Sequence, residues 1–253
     1  MNNFFMIMRC YVSRLCRDVK EVALLTVIPI GLTIINGLFE APIVLYDYNV
    51  LTSINMPSLL LAFQFFNMGI MLYFLYKDFR GDMRWRLRAA PVSLFSFILP
   101  AFVANWIFSI MLGIVIILIS VLFLNAYLGN LLVFAAVLLI VSLMATFLSM
   151  LIFLFTRTYR AANGLVYVIS FGLMILSGFM VPVGDSAVMR FFATSGTPLS
   201  LGQRAIIYSG AINDVLPAGG RGMEQSLINI GILAAVTLVI AVVTIITARR
   251  REI

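Results

Sequence analysis

The amino-acid sequence predicts an all-α integral membrane protein with six transmembrane helices and both termini in the cytoplasm. Hydrophobic residues make up 63% of the chain and charged residues only 11%, whereas soluble chains average about 45–50% and about 25%. The mean hydropathy is +1.11. Uncharged runs also recur along the chain, each long enough for the roughly 20 apolar residues that one bilayer crossing needs. These observations indicate that most of the surface faces lipid.

The uncharged runs define the predicted spans. One run, Ala89–Thr156, is too long for a single crossing and contains one turn-rich stretch, Asn125–Asn130, so it is divided there into two spans. Pro29 and Gly31 predict a kink in the first span, and Pro100 predicts a bend in the third. The six predicted spans are Val22–Phe39, Ser58–Tyr76, Leu94–Leu124, Leu131–Phe155, Ala161–Met180 and Gln225–Ala248.

The segments between the spans differ in character. Residues 1–20 mix apolar and basic side chains and predict an amphipathic helix at the membrane surface. Glu40–Pro57 contains no Lys or Arg and is interpreted as an external loop. Asp185–Glu224 is too long for a plain loop and carries short apolar clusters, which predict an external section with re-entrant or interfacial helices. The fifth span is predicted to pack closely against other helices because it contains small residues: Gly164, Ser170, Gly172, Ser177 and Gly178.

The distribution of basic residues predicts the orientation. Of the 17 Lys and Arg residues, 14 fall in the segments assigned to the inside, and the other three are Arg190, Arg204 and Arg221. This bias is the one that cytoplasmic loops show. The net charge of +7 is therefore explained by membrane orientation, and no nucleic-acid partner is expected. The cations lie in short clusters beside the spans, where they contact membrane lipids.

The most basic segment, Lys77–Ala90, follows the second span and predicts an amphipathic cytoplasmic helix. At helical spacing one stripe is apolar and a neighbouring stripe is cationic. Such a helix either lies on anionic headgroups or docks on a partner protein. The apolar stripe consists of Phe79, Met83 and Leu87, and the cationic stripe of Arg80, Arg84 and Arg88.

The sequence contains no signature of catalysis. It has no histidine and no phosphate-binding loop of the Gly-x-x-x-x-Gly-Lys-Ser/Thr type, so no catalytic, cofactor or metal site is expected on this chain. Cys10 and Cys16 match no metal or redox spacing and are expected to be free thiols. The polar residues at membrane depth form hydrogen bonds between helices or line a substrate path; they are Asn36, Gln64, Asn67, Asn105 and Asn163.

The layout resembles the membrane subunit of an ABC-2 type exporter. Asp78–Gly81 reads Asp-Phe-Arg-Gly, and Leu87–Ser93 reads Leu-Arg-Ala-Ala-Pro-Val-Ser; together they are similar to the family's acidic-x-Arg-x-Gly-Thr and Leu-x-x-x-Pro-Val-Ser signature, although Asp82 stands where threonine is common. Ser177–Pro182, followed by Thr197–Leu199, is similar to the family's Gly-Phe-x-x-Pro region. The resemblance covers the whole chain, and the order and spacing of the motifs carry it.

The resemblance implies a permease that exports a hydrophobic or amphipathic peptide, drug or lipid across a bacterial plasma membrane. It implies two copies of a cytoplasmic ATPase subunit, which would hold ATP and Mg, and a second copy of this chain or a related permease. Lys77–Ala90 would be the coupling helix, and Thr156–Arg160 a second, smaller contact. The implied docking residues are Asp78, Phe79, Arg80, Met83, Arg84, Leu87, Arg88, Arg157 and Arg160.

Other functions stay open at this point. A secondary carrier or small channel needs no ATPase, but carriers usually place charged residues in the membrane, and the predicted spans contain none. A membrane enzyme would need a nucleophile and a base at membrane depth. A membrane immunity or scaffold protein agrees with the composition and leaves only the basic segment unexplained.

Overall fold

A computed structural model shows an almost wholly helical chain. It describes residues 2–17, 27–28, 30–35, 44–45, 48–81, 94–126, 128–178, 186–210 and 222–250. Apart from a two-residue antiparallel pairing of β1 (Val44–Leu45) with β2 (Tyr48–Asn49), the described elements are helices, so the all-α prediction is confirmed. They are α1 (Asn2–Arg17), α2 (Val50–Phe66), α3 (Met68–Phe79), α4 (Leu94–Leu124), α5 (Leu131–Phe155), α6 (Tyr159–Leu176), α7 (Ala187–Phe191), a π-helix (Phe192–Gly196), α8 (Pro198–Ser209) and α9 (Gly222–Arg250).

Five helical segments among the described residues are long and apolar enough to cross a membrane. They agree with the predicted second to sixth spans. Most of the predicted first span, Val22–Phe39, lies outside the described residues, although residues 27–28 and 30–35 are helical. The five segments are Asn55–Phe79, Ile98–Leu124, Leu131–Phe155, Tyr159–Leu176 and Gly222–Arg250.

The second span begins earlier than predicted. Helix α2 starts at Val50 and continues through Pro57, so the external-loop interpretation of Glu40–Pro57 is wrong for its last eight residues. A proline is tolerated there because neighbouring helices and polar side chains can satisfy the backbone groups that it frees.

Helices α2 and α3 together form the centre of the bundle. Of their most hydrophobic window, 94% is buried inside the protein, because α4, α5, α6 and α8 all pack around it. The two helices are separated by a single turn residue, Asn67. The span therefore has neighbouring helices on most of its surface.

Helix α6 is much more exposed than the small residues in it predict. Only 22% of its window is buried, and a Cβ added at Gly164 or Gly172 would meet nothing within 4 Å. The expectation of a closely packed helix is therefore wrong for most of its surface. Small residues permit close approach but do not determine which face is used. Within the chain, α6 makes its contacts through a stripe of Ala162, Val166, Ser170 and Met174, so Ser170 lies on the packed face whereas Gly164 and Gly172 do not.

The connection between α4 and α5 lies at the predicted turn. Asn125 and Gly129 have positive φ angles of 50° and 67°, and the Asn130 side chain accepts hydrogen bonds from the first backbone N–H groups of α5. An asparagine in this position satisfies donors that have no partner within the helix. These residues explain why the long uncharged run is divided here.

The section before the last span holds two short helices joined by a π-helix. Helix α7 is exposed, whereas α8 packs against α2, α5 and α9. A capping box of Thr197 and Ser200, with Pro198 at the first turn, begins α8. Gly202 allows a close approach, since a Cβ there would lie 2.8 Å from a methyl carbon of Leu61. Helix α8 is thus a buried part of the bundle.

Candidate functional site at the junction of helices α1, α3 and α5

The basic segment leaves the bundle at the end of α3, and the last turn of this helix contacts two other helices. Tyr76 and Asp78 are buried, Phe79 is half-buried and Arg80 is exposed. We use "junction" for these four residues and their partners in α1 and α5. The structure ends α3 at Phe79, so a continuous helix from Lys77 to Ala90 is not formed at its start; residues 82–93 lie outside the described part.

Gly81 marks the point where the chain turns away from α3. A Cβ at this position would lie 2.5 Å from the backbone oxygen of Lys77, a distance that real Cβ atoms do not show. The absence of a side chain therefore permits the bend directly after the helix. The glycine in the family-like Asp-Phe-Arg-Gly stretch has this steric explanation.

On one side of the junction, Asp78 binds the N-terminal helix. Its carboxylate oxygens accept two hydrogen bonds of 2.8 Å from Arg14 Nη1 and one of 2.6 Å from the Tyr11 hydroxyl. The Arg14 guanidinium also stacks on the Phe74 ring, 5.1 Å from its centroid. Burial raises the pKa of the Tyr11 phenol well above its usual range, and the nearby Asp78 carboxylate raises it further. Tyr11 is therefore a permanent donor near neutral pH.

On the other side, Arg80 and Tyr76 bind the end of α5. Arg80 Nη1 donates to the Thr156 carbonyl, and its Nη2 lies 3.4 Å from the Phe153 carbonyl. The Tyr76 hydroxyl donates to the same Thr156 carbonyl at 3.0 Å and lies within hydrogen-bond distance of the Thr156 hydroxyl. The chain continues from Thr156 into α6 through Arg157, so both predicted docking segments leave from this junction.

The described docking candidates differ in exposure and in their contacts. Arg157 and Arg160 are exposed, and Arg80 is exposed but bonded to the end of α5. Asp78 is 4% exposed and ion-paired, and Phe79 packs against the Phe153 ring with a centroid distance of 6.1 Å. The remaining candidates lie outside the described residues; they are Met83, Arg84, Leu87 and Arg88.

The polar candidates for a substrate path lie in two different seams of the bundle. Gln64 of α2 faces α4, where its Nε2 donates to the Ser109 carbonyl at 3.2 Å. Asn105 lies in α4 itself and lines a small cavity shared with Tyr11 of α1 and Phe74 of α3. Asn163 of α6 lies against α3, since its Oδ1 would be 3.4 Å from a Cβ at Gly69. Asn36 lies outside the described residues.

Several of these amides are buried and have no hydrogen-bond partner among the described residues. These atoms are both polar atoms of Asn67, which is 1% exposed, together with Gln64 Oε1 and Asn105 Oδ1. A buried polar atom that lacks a partner loses its interactions with water without compensation.

An aromatic group extends from the buried Asn67 region to the open surface of α6. The Phe66 ring lies 5.1 Å from Phe171 and 6.3 Å from Tyr167, measured between centroids. Phe66 is buried, whereas the two rings on α6 are 46% and 41% exposed. Phe63 lies behind Phe66, with 5.5 Å between the ring centroids.

The junction includes three residues that the sequence did not single out: Tyr11, Arg14 and Tyr76. Thr156 was predicted only as the first residue of the smaller contact segment, without its bonds to Tyr76 and Arg80. No short-range pattern connects Asp78 and Arg80 to their partners in α1 and α5, which lie 64 to 76 residues away along the chain. The one available signal was Asp78 itself, an acidic residue within the most basic segment. Within the described residues no group of three or more Cys, Asp or Glu could hold a metal ion.

The fold and the junction define a class: a multi-pass membrane protein whose central span ends in a braced junction from which a basic segment leaves. The family model described as ABC-2 type transporter matches residues 5–209, and the chain therefore belongs to the ABC-2 type transporter family. Members of this family are transmembrane permeases, generally non-catalytic, that pair with an ATP-binding subunit. A comparison with curated proteins gives no significant match.

Proposed function

We propose that this chain is the permease subunit of an ATP-driven exporter whose ATPase grips the segment that follows α3. The observation that supports this most directly is the junction: Arg80 and Tyr76 both bind Thr156, at the point where the two predicted docking segments leave the bundle. A grip on a segment moves the spans only if its base is rigid, and here the base is held by hydrogen bonds, stacked rings and an ion pair.

The docking role is assigned to residues after the bend at Gly81. Asp78 is paired with Arg14 and Phe79 packs against Phe153, so Asp78 and Phe79 stabilise the junction. The contacts with the ATPase are Met83, Arg84, Leu87 and Arg88. Arg157 and Arg160, which are exposed, form the smaller second contact. The chain carries no phosphate-binding loop, so ATP and Mg bind the partner subunit.

The proposed cycle follows from the position of α3. Closure of two ATPase subunits on ATP draws the basic segments of two permease copies together. Because α2 and α3 are packed on all sides by α4, α5, α6 and α8, displacement of the junction shifts the seams where the unpaired amides lie. Opening one of these seams exposes a path, and the membrane concerned is the bacterial plasma membrane, with the junction on the cytoplasmic side.

The proposed substrate is hydrophobic or amphipathic: a peptide, drug or lipid. The described spans are free of charged residues at membrane depth, which disfavours ions and sugars. The Asn67 amide group has a donor and an acceptor without partners among the described residues. Phe66, the residue before it, forms an aromatic surface with Tyr167 and Phe171 of α6. An apolar group with a few hydrogen-bonding atoms suits such surroundings.

Co-purification with an ATPase tests the proposed function. The probe is a tagged ATP-binding subunit with a phosphate-binding loop, encoded beside this chain and expressed together with it. The test variant is Met83→Asp with Leu87→Asp, and Phe79 is left unchanged because it packs against Phe153. The matched control places two aspartates on α7, at Val188 and Phe191, which are also exposed apolar residues.

We expect the wild type and the α7 variant to retain the ATPase, and the Met83/Leu87 variant to lose at least about tenfold in recovery, as expected when two central apolar contacts become charged. Equal recovery with all three chains, at equal amounts in the membrane, would refute the docking assignment. Substrate efflux that continues without the ATPase would instead favour a secondary carrier.

A further inference from the structure

The Arg80 guanidinium contacts two backbone carbonyls and two aromatic rings at the junction. Its terminal nitrogens reach the carbonyls of Thr156 and Phe153. Its Cζ atom lies 5.0 Å from the ring centroid of Tyr76 and 5.1 Å from that of Phe153. Arg80 is exposed to solvent, yet both terminal nitrogens and the planar face of its guanidinium contact other residues of the chain.

The two carbonyls belong to the end of α5. The last carbonyls of a helix lack partners within that helix and carry its partial negative charge. A guanidinium supplies several N–H donors in a fixed plane and a positive charge, so it suits this position better than an ammonium group does. Arg80 thus caps α5 from a different helix, and residues 80 and 156 share one hydrogen-bonded unit.

Tyr76 strengthens the same unit from one turn earlier. Its ring lies 5.1 Å from Phe153 in an edge-to-face arrangement and 6.0 Å from Tyr159 at the start of α6. Its hydroxyl binds Thr156. The end of α3, the end of α5 and the beginning of α6 are therefore joined by charge-assisted hydrogen bonds and aromatic contacts across the turn that carries Arg157.

We propose that Arg80 is a positioning residue that fastens the basic segment to the Thr156–Arg160 turn, so that both contacts with the ATPase move as one body. This inference rests on the proposed function, and it changes the role that the family resemblance implies for Arg80: the guanidinium acts within the permease and does not touch the ATPase. Removing it leaves the ATPase able to bind but separates the motion of the two segments.

The first test uses the permease alone. Spin labels are attached at Asp82→Cys, directly after the bend, and at Ala161→Cys, an exposed position in the first turn of α6, with Cys10 and Cys16 replaced by serine. We expect one narrow distance distribution for the otherwise unchanged chain. Arg80→Gln should broaden it and raise the separated population by about tenfold, as expected for the loss of a charged hydrogen bond.

Two further variants make this test specific. Tyr76→Phe removes the hydroxyl and retains the ring, and it should broaden the distribution in the same direction. Arg204→Gln is the matched control, because the Arg204 guanidinium contacts Tyr208 of its own helix and lies in α8. Unchanged distributions in both Arg80→Gln and Tyr76→Phe would overturn the proposal.

The second test adds the ATPase and separates this proposal from the proposed function. We expect the Arg80→Gln variant to retain ATPase binding. In this variant, ATP should change the distance between the two labels, whereas in the chain with Arg80 the distance should stay constant when ATP is added. Loss of ATPase binding in Arg80→Gln would place Arg80 in the docking surface and overturn the proposal. Failure of the unchanged chain to bind any ATPase would refute the proposed function, whereas the permease-only distances would still decide the role of Arg80.

Discussion

The Tyr11 hydroxyl donates a 2.6 Å hydrogen bond to the Asp78 carboxylate, which joins the N-terminal helix to the end of the central span. The same carboxylate accepts two hydrogen bonds from Arg14. A surface helix that is otherwise held by apolar contacts thereby gains a fixed position next to the basic segment. Movement of α3 must carry α1 with it, as long as these three side chains stay paired.

Replacement of Asp78 by Asn should loosen α1. The change removes the ion pair with Arg14, and because Arg14 is about one third exposed, solvent screening limits the loss to about 1–3 kcal/mol in the free energy of unfolding. Thermal unfolding in detergent measures it. In a double-mutant cycle, the effects of Asp78→Asn and Arg14→Gln on the free energy of unfolding should be strongly non-additive. Arg9 is an exposed cation on α1, and the effect of Arg9→Gln should add to that of either variant. Additive behaviour of the first pair would contradict the pairing.

Alkaline pH should release the same contact through Tyr11. The folded protein raises the pKa of this phenol above its ordinary value of 10.0, so the protonated phenol is favoured in the folded state. Its contribution is fully present below pH 10 and is lost as the pH rises further, by up to about 1.4 kcal/mol per pH unit. Tyr11→Phe should reduce this loss, measured as the difference in unfolding temperature between pH 9 and pH 11. An equal change in unfolding temperature between pH 9 and pH 11 in the wild type and in Tyr11→Phe would contradict this role of Tyr11.

Asn67 should be a residue whose removal stabilises the protein. Both polar atoms of its amide are buried and have no partner in the described part of the chain, so Asn67→Leu should raise the free energy of unfolding by about 1 kcal/mol or more. Gln64→Leu should raise the free energy of unfolding by less, because Gln64 Nε2 donates a hydrogen bond to the Ser109 carbonyl. If Asn67 also lines the substrate path, the more stable variant loses transport. A destabilised Asn67→Leu chain would show that the amide has a structural partner.

Gly129 and Gly172 should respond in opposite directions to alanine. Gly129 has a φ of +67°, and a Cβ there would lie 2.8 Å from the Gly210 Cα atom; Gly129→Ala should therefore cost about 2 kcal/mol or more. Gly172 is in α6 with open space around it, so Gly172→Ala should stabilise the helix by up to about 1 kcal/mol. Unfolding temperatures of the two variants compare them directly, and equal effects would contradict the close approach of Gly129 and Gly210.

The spans themselves could be predicted from the sequence wherever hydropathy and turn residues agree. The bounds of α4 and α5 match the predicted third and fourth spans because Gly129 and Asn130 interrupt an otherwise uniform apolar run. The start of α2 was predicted too late, because Glu40–Pro57 was interpreted as one loop, whereas the bundle accommodates Pro57 inside a helix. Hydropathy measures the compatibility of a segment with lipid. It does not show whether the surrounding helices tolerate a proline inside that segment.

The contacts of the candidate site could be predicted only in part. The stripe of Arg80, Arg84 and Arg88 drew attention to the segment that leaves the junction, but the partners of Arg80 lie in α5, far along the chain. Sequence periodicity describes one helix at a time, so it cannot identify which other helix completes a cluster. The exposure of α6 was missed for the same reason, since Gly164 and Gly172 mark a possible approach without naming a neighbour.

The central claim is that the segment after Gly81 is held by a separate ATPase, and a site-specific photo-crosslink tests it most directly. A photoreactive phenylalanine replaces Trp85 in one chain and the exposed Phe191 of α7 in a control chain, each expressed with the tagged ATP-binding subunit. We expect irradiation to join position 85 covalently to that subunit and to give no such product from position 191. A product from position 191 alone, or none from position 85 with both proteins present in the membrane, would contradict the account.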